Sequence, residues 1–349
     1  MSPSHVSPSS GSRSMSAPDV LIVTQAFDPT TEYLLPYLER AGLRWCRWDP
    51  GTVPTASTAS MQLVEGRWCE GTITLEDGVE VRLDDVGVIW YRRPSIQHAP
   101  GTTPTASLTR FLNIETRWFL TGFWECVPRP MVNRPHAGNY ASIKAVQLQT
   151  AAGLGFTVPR TCMGNAPGAV QRVWQDTEGQ LIVKGFEQAL VQVDDGSERM
   201  LYTSPVAADD LADVASLRAC PSIWQAYVPK LVEIRATVFG HTVLAAEIHS
   251  QHSPLSQHDW RRYDLERTPY LPHTLPAAVA TRCIQLLRTY GLVYGAIDLI
   301  LSPDGTYTFL ELNPFGQWAW VQDLCGLPIA EAHCQLFRML IDGSFRYAC

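Results

Sequence analysis

The fold is decided by the stretch GAIDLILSPDGTYTFLELNP at residues 295–314. Two runs rich in apolar residues flank Asp304 and Gly305, a dipeptide that favours a tight turn between antiparallel strands. A hairpin that closes on this turn places Asp298 directly opposite Glu311. The stretch therefore predicts two neighbouring strands that carry facing carboxylates.

The same pairing adds an amide to the two acids. It places Ser302 opposite Tyr307 near the turn, and Asn313 lies two residues beyond Glu311, on the same face of its strand. Like charges that face each other repel. We therefore expect a positive group between the two carboxylates.

Oxygen ligands of this kind suit a hard cation such as Mg²⁺, which takes phosphate oxygens as further ligands. The alternative is a solvated hairpin face, on which Asp and Glu are ordinary. The flanking residues argue against that alternative because they are apolar and predict largely buried strands: Ile297, Leu299, Leu310 and Leu312.

Four cations lie on or near predicted helices and strands. Lys144 follows NRPHAGNYASI on a predicted helix, and Lys184 lies within LIVKGF, where a buried lysine needs a counter-charge. A nucleotide phosphate could supply that charge, and an edge-strand lysine that reaches solvent is the alternative. Arg235 in VEIRATVFG and Arg261 in HDWRRY are the other two; each alone would be a surface residue or a salt-bridge partner.

Length and composition bound the remaining choices. The 349 residues suffice for about two or three domains. The net charge of −7 excludes nucleic acid as the main partner, and no apolar run is long enough for a membrane span or a secretory signal. Nine scattered cysteines without a CxxC spacing indicate free thiols in a reducing cytoplasm.

The periodicity of the chain predicts further elements. The sequence VLIVT at 20–24 is typical of a buried strand, and a hairpin is expected around Asp77 and Gly78. The other expectations are a helix capped by Thr30 or Thr31 and continuing through Arg40, helices at 106–125, 138–152, 167–176, 276–290 and 329–341, and strands at VGVIWYRRP, at IWQAYV and ending at Thr161.

Standard catalytic and nucleotide motifs are absent. The sequence has no GxxxxGK[ST], HExxH or GxSxG. GLGFTV at 153–158 lacks the third glycine of a dinucleotide fingerprint and follows a helix. The remaining signal is the set of carboxylates, lysines and arginines.

The order of these features resembles the ATP-grasp superfamily from about residue 133 to 340. Two lysines precede the strand–linker–strand segment WQAYVPKLVEIRATVFG (224–240), and an arginine precedes Asp…Glu-x-Asn. The resemblance implies an α+β fold in which two lobes clamp ATP. Together with the patterns along the chain, it predicts domains at 19–130 (an N-terminal α/β domain), 131–221 (the central lobe) and 222–349 (the C-terminal lobe). The Ser/Pro-rich composition of residues 1–18 predicts a disordered tail before them.

A narrower resemblance rests on VIWYRRP (88–94), NRPHAGNYASIKAVQLQTAAGLGFTVPRT (133–161), HSQHSPLSQHDWRRY (249–263) and FLELNPFGQWAWVQDLCGLPIAEA (309–332). These segments look like the ATP-grasp ribosomal peptide maturases, which make graspetides of the microviridin type. The resemblance implies a ligase that activates Asp or Glu side chains of a precursor peptide as acyl phosphates. Ser or Thr hydroxyls, or Lys amines, then close macrolactone or macrolactam rings.

The resemblance also assigns roles residue by residue. It implies that the ATP phosphates are contacted by Lys144 and Lys184, and that the ribose is contacted by Glu233. The hinge under adenine, acting mainly through backbone groups, would consist of Gln225, Ala226, Tyr227 and Val228. Two Mg²⁺ ions would be bound by Asp298, Glu311 and Asn313, and the charge on the γ-phosphate and acyl phosphate would be neutralised by Arg235 and Arg261.

Several of these assignments have alternatives. Glu233 could instead form a salt bridge with Lys230 or Arg235, and the adjacent Arg262 could substitute for Arg261. The general base is open, with His249 and Asp259 among the candidates.

The peptide site is less defined than the nucleotide site. Segment 187–204, with Asp194 and Asp195, could recognise a leader peptide or be an ordinary hairpin turn. Arg92 and Arg93 could contact the precursor or bridge domains, and Trp318 and Trp320 are expected to pack in the core. A homodimer is expected from the resemblance alone.

Three other functions compete with a macrocyclase. A carboxylate–amine ligase of the glutathione synthetase or ribosomal-protein glutamate ligase type would share the metal and phosphate residues. A small-molecule kinase would need a strongly basic substrate pocket, which the acidity of the chain disfavours. A silent ATP-binding scaffold would not need the complete set of acids and lysines.

Overall fold

The computed structural model describes residues 17–95, 104–187, 190–192, 196, 198–200, 202–262, 264 and 266–345. Contacts between residues divide the chain into two compact units. One unit comprises 1–137 together with 330–349, and the other comprises 138–329. The predicted tail lies outside the described residues except for its last two positions. The predicted domain boundaries stay predictions.

The N-terminal unit contains a parallel sheet with strand order β2-β1-β6-β7. Its elements are β1 (Val20–Thr24), α1 (Pro29–Arg40), β2 (Trp45–Trp48), β3 (Thr58–Val64), β4 (Arg67–Thr74), β5 (Glu80–Arg82), β6 (Val88–Arg93), α2 (Ala106–Cys126), β7 (Met131–Val132) and the first residues of α3 (Pro135–Ala141). All five residues of β1 are buried, as an inner parallel strand requires, so the prediction for VLIVT is confirmed.

A second sheet in this unit is antiparallel, with the order β3-β4-β5. The predicted hairpin is confirmed, because β4 pairs with β5 and Gly78 adopts a φ of 81° in the turn between them. Strand β3 was not predicted. Most of its residues are exposed, so its sequence lacks a clear apolar alternation.

The predicted cap of the first helix is wrong. Helix α1 begins at Pro29, and the side chain of Asp28 accepts a hydrogen bond from the backbone N–H of Thr30. Asp28 is also buried against the guanidinium of Arg92 at 3.1 Å. Arg92 of the YRRP segment therefore pairs with a buried acid inside this unit.

The predicted helix at 138–152 is interrupted. Helix α3 ends at Ala141, and α4 (Lys144–Gly153) begins after Ile143, whose ψ of 105° is extended. The hydroxyl of Ser142 donates to the carbonyl of Gly138 at 2.8 Å, which satisfies one of the last carbonyls of α3. The break places Lys144 in the first turn of a new helix.

The second unit contains two larger antiparallel sheets, with orders β12-β9-β13-β8 and β16-β15-β14-β17-β18, and the two-stranded antiparallel pair β10-β11. After α4 its elements are β8 (Thr161–Gly164), α5 (Pro167–Asp176), β9 (Leu181–Lys184), β10 (Leu190–Gln192), β11 (Glu198–Met200), β12 (Ser204–Pro205), α6 (Val214–Ala219), β13 (Ser222–Ala226), β14 (Val232–Phe239), β15 (Thr242–Ile248), β16 (Tyr270–His273), α7 (Ala277–Thr289), β17 (Tyr294–Leu301), β18 (Tyr307–Asn313) and α8 (Ala319–Cys325). Helix α9 (Ile329–Ile341) has the bounds that the sequence predicted, and all but its first residue groups with the N-terminal unit.

Two strands of the sheet β12-β9-β13-β8 differ from the prediction. The strand expected to end at Thr161 instead begins there as β8, because Pro159, two residues earlier, has no N–H for the ladder. The strand predicted at IWQAYV (223–228) is β13, which ends at Ala226 and pairs with β8 and β9. The short linker 227–231 then leads directly into β14 of the other sheet. The linker therefore joins two sheets whose residues line one cavity.

Candidate active site

The acidic hairpin has the predicted register where the acids lie. Asp298 of β17 faces Glu311 of β18, but a bulge after Asp298 shifts the pairing toward the turn. Tyr307 therefore faces Leu301, and the predicted pairing of Tyr307 with Ser302 is wrong. The bulge absorbs the one-residue difference between the two ends of the hairpin.

The bulge also changes which side chains face the cavity. Leu310 is the extra residue of β18, since Asp298 pairs with Glu311 and Leu299 with Phe309. Leu310 and Glu311 both line the same cavity, although adjacent residues of a regular strand point to opposite faces. An apolar wall and a carboxylate thus lie side by side at one point of the strand.

Asn313 completes the predicted acidic cluster. Its Nδ2 donates to Asp298 Oδ2 at 3.1 Å and to Glu311 Oε1 at 3.2 Å. The three side chains are therefore in mutual contact, and the expected shared face of Glu311 and Asn313 is confirmed.

Cations compensate both acids, as the facing charges required. Arg235 of β14 lies opposite Asp298 and donates to both of its oxygens from Nη1, at 2.8 and 2.9 Å. Lys144 donates to Glu311 Oε2. The helix break at Ile143 starts α4 at this lysine.

The two carboxyls differ in their electrostatics. Burial raises the pKa of Asp298 above its usual value; the charge of Arg235 opposes that shift and the charge of Glu311 adds to it. Burial also opposes ionisation of Glu311, but Lys144, Lys184 and Arg261 together hold its pKa well below the usual value. These cations therefore favour the ionised form of Glu311.

Lys184 and Arg261 complete the positive surroundings of the acids. Burial lowers the pKa of the Lys184 ammonium, and the charge of Glu311 opposes that shift. Arg261 donates to Asp259 through Nε at 2.7 Å and Nη2 at 2.6 Å, and both Arg261 and Lys184 line the cavity. Arg262 is exposed and its guanidinium stacks over the ring of Tyr202, so the geometry favours Arg261 of the adjacent pair.

A cavity lies beside this cluster, between the two sheets. It is lined from the first sheet and linker by Ile182, Lys184, Gln225, Ala226, Tyr227 and Val228, and from the second sheet by Glu233, Asp298, Ile300, Leu310 and Glu311. Every residue predicted for the hinge lines it.

Glu233 sits in a local network of donors. Lys230 Nζ donates to Glu233 Oε1 at 2.9 Å and to the carbonyl of His258 at 3.3 Å, and the hydroxyl of Ser250 donates to the same Oε1 at 2.8 Å. Of the two salt bridges considered for Glu233, the structure contains the one with Lys230. Glu233 also lines the cavity, so it remains able to accept from a ligand.

All three lysines of the chain lie at this site. Lys144 contacts Glu311, Lys184 lines the cavity beside Glu311, and Lys230 lines it beside Glu233. Sequence reasoning identified the first two from their apolar context and treated Lys230 only as a salt-bridge partner. The scarcity of lysine was the signal that could have identified all three.

The two candidate general bases have different surroundings. Burial raises the pKa of Asp259, but the hydrogen bonds and charge of Arg261 outweigh it and the pKa is lowered. His249 Nε2 lies 3.3 Å from Glu247 but is buried and makes no hydrogen bond with the described residues. The general base stays unassigned.

The two tryptophans predicted to pack in the core do so. Trp318 is buried, and Trp320 packs on Trp260 with ring centroids 4.8 Å apart, so their predicted packing role is confirmed. Asp194 and Asp195, proposed for leader recognition, lie outside the described residues.

The donor set at the acidic cluster consists of carboxylate and amide oxygens, which fits a hard divalent cation. The described residues contain no group of three or more His, Cys, Asp or Glu that could hold a metal ion. A site at this cluster therefore depends on the side-chain oxygen of Asn313, whose amide nitrogen faces the acids. A half-turn of that amide would present its oxygen instead.

No family model and no curated protein matches the chain. Several solved structures, in contrast, are similar to it. The macrocyclase MdnC of Microcystis aeruginosa MRC, bound with the precursor peptide MdnA, is 27% identical with a TM-score of 0.78, over 91% of this chain and 99% of that one.

A second similar structure is a ligase of Chryseobacterium gregarium, described as an ATP-grasp ligase associated with a ribosomally made, modified peptide and solved with ADP, a leader and a core peptide. It is 28% identical with a TM-score of 0.84, over 94% of this chain and 97% of that one. The D-alanyl-alanine synthetase A of Vibrio cholerae, at 12% identity and a TM-score of 0.55, shares the fold.

The fold and the site define an ATP-grasp protein, and the predicted α+β ATP-grasp class is confirmed. Within that superfamily the chain resembles the ATP-grasp ribosomal peptide maturases, as its sequence motifs predicted. No helix among the described residues is both long and apolar enough to cross a membrane.

The ion pair at the centre of the cluster gives a first prediction. Replacing Arg235 with Met leaves Asp298 buried without its cation, so the free energy of unfolding should fall by about 3–5 kcal/mol in urea denaturation. Adding Asp298→Leu removes the stranded charge and should restore most of the loss.

The matched control is Arg262→Met, which removes an exposed guanidinium and should change stability by less than about 1 kcal/mol. If Arg235→Met were no more destabilising than Arg262→Met, the pair would not be the electrostatic centre of the cluster.

Proposed function

We propose that this protein is an ATP-dependent ligase that closes rings in a ribosomally made precursor peptide. The observation that carries the proposal is the cluster of Asp298, Glu311 and Asn313, surrounded by cations at the end of a cavity between two sheets. The similarity to peptide-modifying ATP-grasp ligases selects a peptide as the substrate.

The cavity holds ATP in this proposal. The backbone of the linker region meets adenine, and Glu233, fixed by Lys230 and Ser250, accepts from the ribose hydroxyls. Lys144 and Lys184 contact the phosphates. Both ammoniums already lie beside Glu311, so the phosphates would approach the acidic cluster.

Mg²⁺ would be held by Asp298, Glu311 and Asn313, because carboxylate and amide oxygens are ligands that suit a hard cation. When bound, Mg²⁺ offsets charge on the phosphates and helps to align them. Arg261, which lines the cavity, adds a fixed positive charge, and Asp259 holds its guanidinium in place. Arg235 contributes its charge while bonded to Asp298.

The reaction follows from the poor electrophilicity of a carboxylate. An oxygen of an Asp or Glu side chain attacks the γ-phosphorus of ATP, which releases ADP and leaves an acyl phosphate. A Ser or Thr hydroxyl, or a Lys amine, then attacks the carbonyl carbon, loses its proton and expels inorganic phosphate. The protein contributes fixed cations where charge develops.

We place the protein in the cytoplasm, where ATP and a ribosomal peptide are both present. The described cysteines are free thiols, which supports a reducing compartment. A homodimer stays a prediction from the resemblance.

The metal assignment predicts a loss of turnover without loss of fold. Glu311→Gln keeps the side-chain shape but removes the charge that would balance Mg²⁺, so ATP turnover with precursor should fall by about two or more orders of magnitude. Asp298→Asn should behave alike, and the double variant should be little worse than either single variant because both acids serve one site.

Circular dichroism and thermal unfolding provide the control that both variants are folded. A folded Glu311→Gln variant with undiminished turnover would show that Glu311 does not hold the metal.

The ligase reaction predicts the mass of its product. After incubation with ATP and Mg²⁺, each ring should lower the intact mass of the precursor by one water, with one ADP and one phosphate released. Hydroxylamine should intercept the acyl phosphate and leave a hydroxamate on an Asp or Glu side chain. Arg261→Ala should depress this trapping because the arginine offsets charge on the acyl phosphate, whereas Arg262→Ala should retain it.

A lasting gain of phosphate mass without loss of water would instead support the kinase alternative. A new amide between the precursor and an added amine would support a carboxylate–amine ligase.

A further inference from the structure

A side chain of α4 covers part of the outer edge of β18. Strand β18 is the last strand of its sheet, so its outward backbone N–H and C=O groups need partners from outside the sheet. At Leu312 both groups pair with the side-chain amide of Gln147: Nε2 donates to the carbonyl at 2.7 Å, and Oε1 accepts from the N–H at 3.0 Å. The amide therefore takes the place of a further strand at this position.

The same amide spans the break between α3 and α4. Gln147 Nε2 also donates to the carbonyl of Ala141, the last residue of α3, at 2.6 Å. One side chain thus makes three hydrogen bonds, which use both amide protons and the amide oxygen. Gln147 is almost fully buried, so these bonds replace those that its amide would make with water. They join the end of one helix, the first turn of the next and β18.

This connection lies beside the acidic cluster. Leu312 lies between Glu311 and Asn313, whose side chains are on the opposite face of the strand from its own. Lys144 and Gln147 are three residues apart and therefore share one face of α4. The helix is thus attached to β18 at two consecutive residues, because an ion pair holds Glu311 and the amide holds Leu312.

The two attachments differ in what a nucleotide would change. In the proposed function, Lys144 exchanges part of its contact with Glu311 for phosphate oxygens. The three hydrogen bonds of Gln147 join protein groups only and need not change. They would keep the start of α4 at β18 while the ammonium moves from carboxylate to phosphate.

We propose that Gln147 is a positioning residue of the ligase reaction. Its amide fixes the first turn of α4 to β18 and so holds the Lys144 ammonium beside Glu311, where the ATP phosphates would lie. The inference rests on the proposed function and adds to it a residue that acts through Lys144.

The first test measures the reactivity of the lysines. The chain has only three, so mild acetylation of the full chain, followed by mass spectrometry of its peptides, gives a rate for each one. Gln147→Met keeps the length of the side chain but makes none of the three bonds. The acetylation rate of Lys144, whose side chain is 18% exposed in its ion pair, should rise by at least about fivefold, the effect of one hydrogen bond on an equilibrium. The rate at Lys230 should not change.

The matched control is Tyr290→Phe. The hydroxyl of Tyr290 donates to the carbonyl of Val146 at 3.2 Å, so this variant removes a hydrogen bond from the same turn of α4 that does not lead to β18. A merely structural loosening of the helix would raise the Lys144 rate in both variants. An unchanged rate in Gln147→Met, or an equal rise in Tyr290→Phe, overturns the proposal.

The second test asks whether Gln147 acts through Lys144. In isothermal titration with ATP and Mg²⁺, Gln147→Met should bind ATP at least about fivefold more weakly than the wild type, whereas Tyr290→Phe should bind it equally well. In a Lys144→Met background no ammonium is left to position, so adding Gln147→Met should change ATP binding by less than about twofold. An equal effect of Gln147→Met in both backgrounds contradicts the positioning role.

A third measurement does not depend on the folding of Gln147→Met. Glu311→Gln breaks the ion pair and leaves the amide in place, so the N–H of Leu312 should exchange with deuterium as slowly as in the wild type. Fast exchange would show that the ion pair holds the amide rather than the reverse, and the proposal would fail.

The failure of the proposed function has a different signature. A protein in which Gln147 controls the reactivity of Lys144 and the binding of ATP, but which never removes water from any precursor, supports the positioning role and contradicts the macrocyclase.

Discussion

The structure depends on the compensation of two facing carboxylates, Asp298 and Glu311, on neighbouring strands. Without cations their repulsion would oppose the hairpin that carries them. Arg235, across the sheet, pairs with Asp298, and Lys144, at the start of a helix, pairs with Glu311. The charge of each acid is therefore compensated by a cation from a different element, Arg235 of β14 or Lys144 of α4. These ion pairs link the strand and the helix to the same hairpin.

This arrangement supports the proposed binding of nucleotide phosphates at the site. Lys184 and Arg261 surround Glu311 electrostatically, and all these groups lie beside a cavity with an apolar wall. In the proposed function, the cations would exchange part of their contact with the carboxylates for phosphate oxygens, and the freed carboxylate oxygens would be ligands of the kind that suit a divalent cation. Lys230, Ser250 and Glu233 form a smaller network of the same kind at the other part of the cavity.

Local patterns predicted much of this site. The turn at Asp304 and Gly305 located the hairpin and brought Asp298 and Glu311 onto neighbouring strands. Their direct pairing also needs the bulge after Asp298, because the register next to the turn differs by one residue from the predicted one. The bulge at Leu310 and the helix break at Ile143 were not predicted from local patterns. The two elements contact each other through hydrogen bonds between Gln147 and the backbone of Leu312, which are 165 residues apart in the sequence. The hydrogen bond from the buried amide of Gln225 to Thr161 was missed as well, because the two residues are 64 positions apart in the sequence.

The most direct test of the account follows an oxygen atom. A precursor whose side-chain carboxylates carry oxygen-18 is incubated with the protein, ATP and Mg²⁺, and the released phosphate is analysed by mass spectrometry. Activation through an acyl phosphate must transfer one labelled oxygen from the carboxylate to inorganic phosphate for every ring that forms. Ring formation with unlabelled phosphate would contradict the central claim that the protein phosphorylates the carboxylate of its peptide.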